Sequence, residues 1–177
     1  MPPNIALSGP SGSGKSTIAK HLVTKYGYQR LSPGDICREI TQLAFGKTDK
    51  TTLNRVNDAL KGIDPFVWIN ACIRKAKPGI PIVFDCMRFL MDLEFFRNEG
   101  YMLVRVTTSL DVRSQRLHKR GQEFLIGVDD RHSGETELDE ASFDKVFENT
   151  FEGTHQLLAI IDSWMRSLRL NEESIKR

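Results

Sequence analysis

Gly9-Pro10-Ser11-Gly12-Ser13-Gly14-Lys15-Ser16 is the stretch on which the reading of this chain turns. It fits the spacing G-x-x-x-x-G-K-[ST], and each position has a physical reason. The glycines let the backbone curl until successive N–H groups point inward as a concave anion cage. A helix opening at Lys15 adds its N-terminal partial charge and unpaired donors. Lys15 can then reach the β- and γ-phosphates of a nucleotide, and the Ser16 hydroxyl can ligate Mg²⁺. Upstream, Asn4–Ser8 is a short apolar run ending at Gly9, the pattern of a buried strand. Downstream, Ile18, Leu22 and Tyr26 recur at i, i+4 and i+8 beside Ala19 and Val23, a helix that Gly27 ends. Strand, loop and helix in that order are the context the motif needs. It implies a nucleoside triphosphate held by Gly9, Ser11, Gly12, Ser13, Gly14, Lys15, Ser16 and Thr17.

Working outward, short apolar strands alternate with amphipathic helices, which predicts an α/β fold with a mainly parallel sheet covered on both faces. Further strands are expected at Tyr28–Leu31, Pro81–Asp85, Tyr101–Thr107 and Lys145–Glu148, making a five-stranded sheet. Helices are expected at Asp35–Ala44, Thr52–Leu60, Pro65–Lys75, Asp92–Asn98, Asp111–Arg120 and Gly153–Leu170. Pro65–Lys75 is read with Phe66, Ile69 and Ile73 on its buried face. Leu157, Leu158, Ile161, Trp164, Met165 and Leu168 line one side of the last helix. Residues 121–142 have little periodicity and several glycines and acids, so they read as a mobile loop.

Bulk properties narrow the function. The 177 residues allow one domain. Lys plus Arg exceed Asp plus Glu by 25 − 23 = +2, too small a surplus to imply a nucleic-acid polymer as partner. No run of about 18 apolar residues predicts a membrane span, and the first residues do not read as a secretory signal. Cys37, Cys72 and Cys86 are too far apart for a Cys-x-x-Cys pair and read as buried fillers with free thiols. Together these suggest a cytoplasmic protein. The four histidines lack metal-ligand spacing, so no structural metal is expected. A GTPase would need Asn/Thr-Lys-x-Asp, which is missing from the sequence, and large motor or AAA-type ATPases need more chain. A small-molecule kinase, with Mg²⁺ and ATP, suits the size and the arginines of the second half.

Leu31-Ser32-Pro33-Gly34-Asp35-Ile36-Cys37-Arg38 resembles the Ser-Thr-Gly-Asp-x-x-Arg segment of the nucleoside monophosphate kinases. The likeness implies that Ser32 and Arg38 hold an acceptor monophosphate and that Asp35 lies near the Mg²⁺ hydration shell. Asp64-Pro65-Phe66-Val67-Trp68, Ile82–Phe89, His132–Glu135 with Leu138-Asp139, and Phe143–Asn149 with Gly153-Thr154 resemble the deoxynucleoside monophosphate kinase branch, to which phosphomevalonate kinase is also similar. Resemblance thus implies a three-layer P-loop kinase fold filling residues 1–177, with an acceptor-binding segment near 32–75 and a lid near 111–142. It implies that Arg88 meets the acceptor phosphate and that Asp85 joins Ser16 on the metal. Trp68 reads as core before it reads as a wall on which an acceptor base stacks. Arg113, Arg116 and Arg120 stand at i, i+3 and i+7 on one helix face and resemble lid arginines, Arg113 toward ATP and Arg116 and Arg120 with Lys15 and Arg88 in transfer; Arg131 is a further candidate.

One spacing departs from the family. Asp85 lies three residues before Arg88, where the pattern has two, and a one-residue shift in a strand turns a side chain to the other face. Either the strand end is bulged or Asp85 does not serve the metal. Three functions remain: transfer to a nucleoside or deoxynucleoside monophosphate, transfer to another small metabolite such as phosphomevalonate or dephospho-coenzyme A, and nucleotide binding without turnover.

Overall fold

The structure, a computed structural model, describes residues 2–131, 133–150 and 153–175. Five strands form one sheet in the order β2-β3-β1-β4-β5: β1 (Ile5–Ser8), β2 (Gln29–Leu31), β3 (Ile82–Met87), β4 (Met102–Thr107) and β5 (Lys145–Glu148). Every pairing is parallel. β1 is central and buried along its whole length, as a strand sandwiched between two layers of helices must be.

The two faces have separate cores. Ile5, Leu7, Val83, Val104 and Val106 face α1 (Lys15–Tyr26) and α8 (Thr154–Ile175). α8 buries Leu157, Ile161, Trp164 and Met165, while Leu158 and Leu168 lie at the edge. Asp162 of α8 ties the two helices: its carboxylate lies 2.6 Å from His21 Nε2 and accepts from Lys25 Nζ at 2.6 Å and Tyr26 Oη at 2.8 Å. Ala6, Phe84, Met87 and Leu103 face the other layer, α2 (Pro33–Phe45), α4 (Val67–Arg74) and α5 (Leu90–Asn98). There Phe96 packs between Phe84 and Tyr101, with ring centroids 4.6 and 4.9 Å away. Between α2 and α4 runs α3 (Lys50–Ile63), which buries no residue fully and contributes only Leu53, Val56 and Leu60 to the core margin.

Four differences from the expected pattern have local causes. On α4 the buried side is Trp68, Ile69 and Cys72, with Ile73 exposed; Asp64 holds Phe66 N and Asn70 Nδ2 and so sets the rotation of the first turn. Cys86 is half-buried rather than a core filler. Residues 121–142, expected as a loop, contain a 3-10 turn at Asp129–Arg131 and a one-turn helix, α7 (Ser133–Thr136). Side chains hold this segment in place of an apolar stripe, Asp129 accepting from Leu125 N at 2.7 Å, so periodicity could not reveal it. Finally, β1 and β3 change register. Ala6 pairs with Phe84 but Ser8 pairs with Met87, so β3 carries one extra residue at Asp85-Cys86. The strand end is bulged, and bulges beside functional sites re-aim side chains.

Candidate functional site

The loop between β1 and α1 is built outward from its carbonyls. Three consecutive carbonyl oxygens each accept from a side chain: Ser11 from Arg113 Nε at 2.9 Å, Gly12 from Arg116 Nη1 at 3.3 Å, and Ser13 from Asn149 Nδ2 at 2.7 Å. Of the loop's own N–H groups, Ser11 N donates to Glu135 Oε2 at 2.7 Å and Ser13 N to Pro10 O at 3.2 Å, and the N-terminus of α1 that follows supplies further donors for an anion. Two glycines are obligatory. A Cβ at Gly9, where φ is +135°, would lie 2.1 Å from the carbonyl oxygen of Val106. At Gly14, with φ +111°, it would meet Asn149 Nδ2 at 2.5 Å. Lys15 is 9% exposed and donates to the loop carbonyls of Gly9 and Pro10 at 2.5 and 2.9 Å. Burial lowers its pKa from 10.5 to about 8, reinforced by Arg88 and opposed by the Cys86, Glu135 and Asp85 charges.

Two clefts open side by side beyond this loop. One, of about 260 Å³, is lined by Gly12, Lys15, Ser16, Thr17, Ser32, Asp85, Arg88 and Arg120. The other, of about 370 Å³, runs between α2, α3 and α4 past Leu53, Asn57, Trp68, Ile69, Phe89 and Asp92. Gly34, Arg38, Cys86 and Arg88 line both. Trp68 is 5% exposed, packs in the core and donates from Nε1 to Asn57 Oδ1 at 2.9 Å, so it serves as core and cleft wall at once.

Carboxylates and guanidinium groups at the junction form a chain. Arg38 Nη2 donates to Asp35 Oδ1 at 2.7 Å; Arg30 Nη1 donates to Asp35 Oδ2 at 2.7 Å and Arg30 Nε to Asp85 Oδ2 at 2.5 Å. Burial alone would raise the Asp35 pKa, but the Arg38 hydrogen bond and the Arg30 charge hold it below its ordinary value. The bulge explains how Asp85, 6% exposed, lines the same cleft as Lys15 and Ser16 despite its offset. Oxygen donors from Ser16 and Asp85 on one cleft suit a hard cation such as Mg²⁺, which retains water and binds through few protein ligands. Among the described residues no group of three or more His, Cys, Asp or Glu could hold a metal by itself.

The three helix arginines of α6 (Leu110–Lys119) and its C-cap all turn toward the loop, but with different duties. Arg113, expected to meet ATP, is buried and bound to Ser11 O and to Glu135 at 2.7 Å. Arg116 reaches Gly12 O and Asn149 Oδ1. Arg120 is exposed and lines the nucleotide-loop cleft. Arg131 is exposed on its turn, and His132 lies outside the described residues. Sequence reasoning missed Arg30, Asn149 and Glu135. Asn149 and Glu135 stood inside quoted motifs, but only long-range geometry shows that they hold the loop.

These features define a P-loop nucleotide-binding protein of the α/β class. The family model described as an AAA domain, AAA_18, matches residues 5–131, and the chain belongs to that family. The length argument against AAA-type ATPases does not extend to it. A cytidylate kinase of Streptococcus pyogenes is 37% identical over 152 residues, 81% of this chain and 62% of that protein. A cytidylate kinase of Rhodopseudomonas palustris is 33% identical over 76 residues, 42% of this chain and 36% of that protein. The chain therefore spans less than two thirds of the length of these relatives. Shikimate kinase from Acinetobacter baumannii, solved with shikimate, superimposes with a TM-score of 0.60 over 94% of both chains at 18% identity; at that identity the likeness concerns the fold. No helix among the described residues is long and apolar enough to cross a membrane.

Proposed function

We propose that this protein transfers the γ-phosphoryl group of MgATP to the phosphate of a nucleoside or deoxynucleoside monophosphate. The observation that carries this reading is the junction of the two clefts at Arg38 and Arg88. Phosphoryl transfer is chiefly positioning and charge neutralisation, and two guanidinium groups stand where donor and acceptor phosphates would meet. Mg²⁺, when bound at Ser16 and Asp85, would neutralise charge on the β- and γ-phosphates. Lys15 and the loop amides hold the donor, Arg38 and Arg88 clamp the acceptor phosphate, and Arg120 approaches from the side of α6. Trp68, Phe89 and Ile69 give the acceptor cleft flat apolar walls of the kind small-ligand sites use.

A phosphate acceptor is already ionised at neutral pH, so no general base is needed. A hydroxyl acceptor would need one, and the three carboxylates at hand are all engaged, Asp85 by Arg30, Asp35 by Arg30 and Arg38, and Asp92 by the backbone N–H groups of Arg88 and Phe89. This favours phosphate over hydroxyl. The test is ADP release measured with MgATP against a panel of ribo- and deoxyribonucleoside monophosphates, phosphomevalonate and dephospho-coenzyme A. Turnover with a nucleoside monophosphate is expected; turnover only with phosphomevalonate or dephospho-coenzyme A, or none with any acceptor despite tight ATP binding, overturns the proposal.

A further inference from the structure

Glu135 lies in the one-turn helix α7, and no step above uses it. Its side chain is 8% exposed and takes four hydrogen bonds from three separate parts of the chain. Oε2 accepts from Ser11 N and from Arg113 Nη2, both at 2.7 Å. Oε1 accepts from Ser11 Oγ at 2.7 Å and Arg88 Nη1 at 3.2 Å. A carboxylate this far from water is stable only when paired and hydrogen-bonded, and here the partners are the nucleotide loop on one side and the acceptor arginine on the other.

The partners do not depend on it equally. Arg113 has a second anchor, Nε on the Ser11 carbonyl at 2.9 Å, and stacks over Phe124 with its guanidinium carbon 5.3 Å from the ring centroid. Ser11 is held through that same carbonyl. The Arg88 guanidinium, among the described residues, has only one other partner, the Cys86 thiol at 3.2 Å from Nε, and a thiol sulfur is a weak acceptor. Without Glu135 the loop would keep its anchor and Arg88 would lose the stronger of its two.

We propose that Glu135 is a positioning residue that aims Arg88 at the acceptor phosphate and clasps it to Ser11 of the donor loop. Two of the five guanidinium N–H donors are committed in this arrangement, leaving the remainder of a planar, pre-oriented fork for an incoming phosphate. The inference rests on the phosphoryl-transfer reading. It makes a lid residue answerable for acceptor binding, while the donor loop, although it gives Glu135 the Ser11 N and Oγ hydrogen bonds, keeps its Arg113, Arg116 and Asn149 anchors without it.

The experiment is Glu135→Gln, which preserves shape and removes charge. Steady-state kinetics would be run with MgATP and the monophosphate the wild type accepts, beside a fluorescence titration with N-methylanthraniloyl-ATP and a thermal melt. The expected result is a loss in kcat/KM for the acceptor of about ten- to hundredfold, carried largely by KM. Affinity for the ATP analogue should change by less than about threefold. If the glutamine variant melts below assay temperature, Glu135→Asp, which retains the charge on a shorter stem, is read by the same ratio. Equal losses on both sides, no loss, or tighter binding of the ATP analogue overturn the proposal; the last would show the carboxylate competing with the triphosphate for the loop. A wild type that binds the analogue yet phosphorylates no monophosphate refutes the functional reading and this inference together, whereas an active enzyme with the wrong split refutes only the inference.

Discussion

The donor loop and the acceptor cleft are neighbours built on opposite plans. The loop works through its backbone: its geometry is set by two glycines that no other residue can replace without a clash, and its carbonyls are capped by Arg113, Arg116 and Asn149. The acceptor side works through side chains on separate elements: Arg30 from β2, Asp35 and Arg38 from α2 and Asp85 from β3 are joined by ion pairs, and Arg88, just past β3, pairs with Glu135. A backbone device is compact and intolerant of change. A side-chain device is spread out and adjustable, which is the behaviour expected of the half that chooses a substrate.

The sharpest break in this contrast is Lys15→Ala. On the proposed reading Lys15 turns from the Gly9 and Pro10 carbonyls to phosphate, so phosphoryl transfer should fall by about 10²–10³ or more with the thermal melt little altered; retained ADP release would discard the donor assignment. Next in size is Arg88→Lys. A lysine has the charge but not the planar fork, and losing a charged hydrogen bond is worth about 1.5–3 kcal/mol, roughly ten- to hundredfold in acceptor kcat/KM. An equal effect on ATP would blur the division between the two sides.

A pH profile sharpens the donor half. Lys15 is protonated below about 8 and loses its proton above that value because burial disfavours the charged form. The kcat/KM for MgATP should therefore decline as pH rises through about 8, at most roughly tenfold per unit. Lys15→Arg, which cannot deprotonate in this range, should remove that limb even if it is slower throughout. The smallest effect is expected for Trp68→Phe, which retains an aromatic cleft wall and loses the hydrogen bond to Asn57. Denaturant unfolding should show a loss of about 1 kcal/mol, with acceptor KM changed less than about threefold; a larger change in KM would mean that the indole contacts the acceptor.

The same contrast explains what could be read in advance. Strand, loop and helix around Gly9–Ser16 were legible because each requirement is local: a turn needs glycine, a cradle needs amides, a helix needs its stripe. The five strands and their layers followed from alternation of the same kind. Arg30 was invisible because nothing in Tyr28–Leu31 distinguishes an exposed strand arginine from one that binds Asp35 and Asp85. Glu135 was visible as part of a motif, but its four bonds span up to 124 residues of sequence, and no periodicity encodes that. On α4 the expected core residues Trp68, Ile69 and Cys72 are buried and only Ile73 was misplaced, because the hydrogen bonds of Asp64 to the first turn set a rotation that periodicity does not show.

The extra residue in β3 makes chain distance and sheet distance different rulers. Between Phe84 and Met87 the chain advances three positions while β1 advances two, from Ala6 to Ser8. A template written in chain spacing rejects the Asp85 and Arg88 pair; one that counts rungs on the adjacent strand accepts it. Distant members of this class whose acidic and basic residues look misplaced are therefore better sought by measuring along β1.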